Sequence, residues 1–123
     1  MAKATDDFHL DAFLDSLALA TTIHITSAQP ANHAGIAAVT LANVTVTAGD
    51  GGGDYTIADG DSSGRKVTLA QQASISVGSS GTATHVVGTD ATNIWVTTCT
   101  SQALTAGNTV TIPAFDMEIA DPV

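Results

Sequence analysis

The sequence predicts a mainly β fold: a sandwich or barrel of about eight short antiparallel strands behind one N-terminal amphipathic helix. Three observations lead there. From Thr82 onward the chain runs THVVG, NIWVTTCT, NTVTI and FDMEI, short threonine-rich stretches of strand-like alternation with small turns between them. Only one stretch, near the start, carries a helical period. The chain has 123 residues and only five aromatics, Phe8, Phe13, Tyr55, Trp95 and Phe115, so its core is built from Val, Ile, Leu and Ala. That length suits a single domain over 1–123, with a helical segment at 1–20 and a β module over 21–122.

The helix is expected from Asp6 to Ala20. Leu10, Phe13, Leu14 and Leu17 recur at helical spacing, and together with Phe8 they are expected to be buried against protein. Thr5 suits the N-cap, and Asp6 and Asp7 suit the positive end of the helix dipole. A first strand follows at once through Thr22-Ile23-His24-Ile25-Thr26. Ser27 to Ala38 reads as loop, punctuated by Pro30, Asn32 and Gly35. Strands are then expected at 40–47, 55–58, 66–69 and 74–77, the last two paired with each other. Asp50–Asp54 and Asp59–Gly64 are polar glycine turns between them. Gly107-Asn108 looks like a hairpin turn with positive φ at both residues, and Pro113 fits a strand end or edge.

Charge excludes more than it suggests. Three cations, Lys3, Arg65 and Lys66, stand against 12 carboxylates, for a net charge of −9. A nucleic-acid partner is not expected, because no basic patch can form to displace phosphate counterions. Anionic membrane surfaces are disfavoured for the same reason. No apolar run approaches the ~20 residues needed to cross a bilayer. The first residues lack an apolar signal segment, so synthesis in a cytosol is expected. Cys99 is single and is expected to be a buried, inert thiol in a strand.

No constellation of reactive groups stands out. Asp50, Asp54, Asp59 and Asp61 could offer oxygens to calcium, but their spacing is not that of an EF-hand, and Asp-Gly pairs are ordinary turn chemistry. His9, His24, His33 and His85 show no metal-ligand spacing, although His24 and His33 flank one loop and could meet. Ser79 and Ser80 in Gly-Ser-Ser-Gly do not form a nucleophile elbow. Neither catalytic residues nor a metal or cofactor is expected. Trp95 alternates with Ile94 and Val96. It is either an exposed contact anchor or, if the strand is covered on both faces, part of the core. Arg65 and Lys66 leave a polar turn into a strand beside an acidic remainder, ready for salt bridges within the chain or to a partner.

The run from Asp59 through Arg65-Lys66-Val67-Thr68, then Gly81-Thr82-Ala83-Thr84-His85, resembles a group of small tailed-bacteriophage structural proteins. So do Thr100-Ser101-Gln102-Ala103-Leu104-Thr105-Ala106-Gly107-Asn108-Thr109-Val110 and Pro113-Ala114-Phe115-Asp116-Met117-Glu118-Ile119-Ala120-Asp121-Pro122. The resemblance covers roughly residues 59–122 and is most like head decoration, or cement, proteins. It implies a non-enzymatic virion protein that binds the outside of a capsid, with the major capsid protein and copies of itself as partners. A tail, neck or fibre module, receptor- or carbohydrate-binding, is the alternative. The expected contact residues are Phe8, Phe13 and Leu17 on the helix, Arg65 and Lys66 at the basic turn, and Trp95 on its strand.

Overall fold

The computed structural model describes residues 6–121. Thr5, the expected N-cap, and Lys3 lie outside the described residues. The described residues form a mainly β fold, with nine strands in open antiparallel sheets and a helix near the N-terminus. This is the expected class, without barrel closure. The chain divides into two compact units, each made of more than one segment.

Unit 1 comprises Met1–Leu19, Thr47–Gln71 and Pro113–Val123. It holds helix α1 (Asp7–Leu17) and a three-stranded sheet of β3 (Tyr55–Asp59), β4 (Arg65–Leu69) and β9 (Phe115–Ile119), in the order β3-β4-β9. Period-two alternation puts Arg65, Val67 and Leu69 on one face of β4 and Lys66 and Thr68 on the other. Helix α1 packs on the first face, where Val67 and Leu69 are fully buried. β4 has a strand on each side, so it has no edge to offer to 74–77. The expected pairing of those two strands does not occur.

The helix is rolled from its predicted setting. Leu10, Leu14 and Ala18 are buried, but Phe8 and Phe13 are 77% and 52% exposed. At roughly 100° per residue, the buried stripe is centred near Leu14, on the side of Asp7 and Asp11, and Phe13 falls off it. The cause is the ion pairing of Asp7 and Asp11 with Arg65 of β4, which turns that side of α1 toward the sheet.

Unit 2 comprises Ala20–Val46 and Gln72–Ile112. A four-stranded sheet runs β2 (Thr40–Thr45), β1 (Thr22–Thr26), β6 (Gly81–Thr89), β7 (Ile94–Leu104). A ribbon of β5 (Gln72–Ser76) and β8 (Thr109–Ile112) completes it. The expected loop at 27–38 contains a 3₁₀ turn at His33–Gly35 and a single helical turn, α2 (Ile36–Val39). The side chain of Asn32 accepts a hydrogen bond from the Gly35 N–H at 3.1 Å, and Ile36 is buried.

β5–β8 and β6–β7 are two parts of one long hairpin, because Ser76↔Thr109 and Gly81↔Leu104 keep the same register. Neither Gly78–Gly81 nor Thr105–Thr109 is therefore a hairpin turn. Both are a break within the hairpin, and only Gly107 of the expected pair has positive φ, +91°. At the break, the N–H groups of Gly78 and Ser79 donate to the Leu41 carbonyl, Val77 bridges to Ala42, and the Ser80 hydroxyl accepts from the Ala106 N–H. The outer edge of β2 is engaged in this way. The core of the unit includes Ile23, Ile25, Leu41, Val86 and Val87.

Candidate functional site

The two cations among the described residues, Arg65 and Lys66, sit on opposite faces of the central strand of unit 1, and both are engaged there. Arg65 grips Asp11 with two nitrogens, Nε to Oδ1 at 2.8 Å and Nη2 to Oδ2 at 3.3 Å. Its Nη1 meets Asp59 at 2.7 Å, and Asp7 lies 4.0 Å away. The guanidinium side chain is only 18% exposed. Its pKa is raised, first by the hydrogen bond to Asp11 and then by that to Asp59. Lys66 Nζ reaches Asp61 at 2.8 Å and Asp116 at 3.3 Å, and these hydrogen bonds raise its pKa. The Thr68 hydroxyl donates to Asp116 at 2.6 Å and, with Lys66, lowers the carboxyl's pKa.

Each of the four loop carboxylates considered for calcium has a protein partner. Asp54 accepts from the Thr47 N–H at 2.6 Å and Asp50 from the Ile57 N–H at 3.0 Å. Asp59 and Asp61 serve the two cations. Gly49, Gly51 and Gly53 all take positive φ, which lets the loop fold back on these acceptors. Tyr55 below them is fully buried. Burial, and then Asp54, pushes its phenol up to about 12.

In unit 2, His24 and Thr40 line a shallow hollow with Leu41, Asn43, Ser76 and Ser79. Thr40 Oγ1 donates to the Ile36 carbonyl at 2.8 Å and lies 3.1 Å from His24 Nδ1. Burial lowers the His24 pKa, and the charge of His33 lowers it further.

Trp95 lies opposite Gly88 across β6 and β7. A Cβ on Gly88 would overlap the indole, so the ring covers the bare glycine backbone and Trp95 is half-buried. Period-two reading offered an exposed or a core tryptophan, and the arrangement is intermediate. The signal lay in the partner strand, since only a glycine opposite leaves room for the ring.

Of the expected contact residues, Phe8 and Phe13 are exposed on α1, Leu17 and Trp95 are half-buried, and Arg65 and Lys66 are tied to carboxylates. Two further features escaped the sequence reading. The first is charge segregation: among the described residues, unit 2 has one formally charged residue, Asp90, and the other eleven carboxylates with Arg65 and Lys66 belong to unit 1. The signal is dispersed over two segments and emerges only when the fold joins them. The second is the far half of β7, where Thr98–Ala103 are all exposed, so Cys99 is exposed and not buried as its strand setting predicts. No family model matches this chain, and neither a curated protein nor a solved structure matches it.

Proposed function

We propose that this chain is a non-enzymatic structural protein of a virion, one that decorates and stabilises the outside of a phage capsid. It contacts the major capsid protein and copies of itself. The observation that carries the reading is the nearly charge-free unit 2, a surface of Thr, Ser, Asn, Gln and small apolar residues attached to a strongly acidic unit. Such a surface adheres through hydrogen bonds and apolar contact without ion pairs, so its contacts tolerate changes in salt. Phe8 and Phe13 on α1 add exposed aromatic area suited to the same purpose. The phage setting rests on the fragments around Arg65, Thr82–His85 and Thr100–Pro122 that resemble small virion proteins.

The test is to count copies per particle by quantitative mass spectrometry and to locate them by particle reconstruction. Copies on the order of hundreds on the head surface support the reading, because many weak contacts on a lattice add up. A handful at the neck, tail or fibre supports the alternative. Absence from the particle overturns both.

A further inference from the structure

We infer that two copies of this chain associate through the outer edge of β7, around Thr98–Ala103. The inference stands apart from the virion reading, because it is read on the isolated protein. Three observations carry it.

β7 is the open end of its sheet. It pairs with β6 on one side and with no described strand on the other, whereas the opposite edge, β2, is engaged by Val77–Ser79. An open edge presents unpaired backbone donors and acceptors, and a two-fold-related antiparallel copy is complementary to them by symmetry.

This edge also stands out from the sheet. His85 pairs with Thr98 but Ala83 pairs with Gln102, so Cys99, Thr100 and Ser101 face the single residue Thr84. The extra residues bulge from β7, and six residues in succession are exposed where a flat strand would alternate. The bulge limits continuous ladder pairing to short stretches on either side of it. The side chains of Thr98, Thr100 and Gln102 supply the remaining contact.

Charge selects the partner. No Asp, Glu, Lys or Arg occurs between residues 91 and 115. Two copies of a chain of net charge −9 repel wherever their acidic surfaces meet. The β7 edge is where they touch without that repulsion. Native edges are blunted with Lys, Pro, inward charges or bulges; β7 carries no Lys, Pro or charge, and its one bulge shortens the ladder on this edge without covering it.

Sedimentation velocity on the isolated chain, over about a hundredfold concentration range at low and high salt, tests the inference. Association that grows with concentration and persists or strengthens in high salt is expected. Thr100→Asp and Gln102→Asp each place a like-charge pair at the contact. They should weaken association by at least about tenfold, with a melting temperature unchanged at concentrations where every variant is monomeric, since both sites are exposed. Ser62→Asp, in an exposed turn of unit 1, should associate as wild type does. A monomer at every concentration overturns the inference. So does association lost in high salt, insensitive to both β7 substitutions, or disrupted equally by Ser62→Asp.

Discussion

Gly88→Ala separates intrinsic preference from packing, because the two predict opposite signs. A glycine in a strand is less stable than alanine by roughly 0.5–1 kcal/mol, so the substitution taken alone should stabilise. The fold reverses this. A methyl at Gly88 would overlap Cε2 and Cζ2 of Trp95 and lie 2.6 Å from Nε1, when ordinary contact begins at 3.4 Å. The indole must therefore move by about 1 Å or more. Such overpacking costs about 1–3 kcal/mol, for a net loss of roughly 0.5–2 kcal/mol. For a chain of this size that lowers the melting temperature by about 2–10 °C. Trp95 is the only tryptophan, so its emission should shift to the red as the ring leaves the glycine. In a Trp95→Ala background, Gly88→Ala should no longer destabilise. Equal or greater stability for Gly88→Ala, with unchanged emission, would refute the packing of Trp95 on Gly88.

Three other perturbations follow from the geometry. Leu14→Ala should cost about 2–5 kcal/mol by leaving a cavity under α1, whereas Phe13→Ala should stay within about 0.5 kcal/mol; thermal melts of both check the roll of the helix. Arg65→Lys should lower the melting temperature, because an ammonium cannot hold Asp11 with two nitrogens while meeting Asp59, and Lys66→Arg should change it little. His24 has a folded pKa below its unfolded value of 6.5, so the unfolded chain binds the proton first. Its contribution is present above about pH 6.5 and is lost as pH falls through the folded value. Melts of His24→Gln should show a flatter slope there than wild type.

Much of the fold was legible because alternation and turn chemistry are local. β1, β3 and β9 lie within a residue of their expected bounds, and the glycine turns fall where Asp-Gly pairs place them. Pairing was less legible because it depends on which edges remain open. β4 is flanked by β3 and β9, so β5 pairs across the chain with β8. The helix face was misjudged for a similar reason. A hydrophobic count centres the stripe between Phe13 and Leu14, but the Arg65–Asp11 pair turns the helix toward its acidic side. The one-turn α2 is too short to show a period. Among the expected contact residues, the sequence marked the exposed aromatics of α1. It could not show that Arg65 and Lys66 are taken up by carboxylates 50 or more residues away, as well as by neighbours in their own turn.

The proposal that this is an adhesive virion component is tested most directly by the rupture temperature of particles with and without it, measured as release of packaged nucleic acid on heating. Particles lacking the protein should assemble but rupture at a lower temperature, and adding back the purified chain should restore the wild-type value. If particles lacking it rupture at the same temperature and fail instead to adsorb or eject, the protein does not stabilise the head and belongs to the tail or neck.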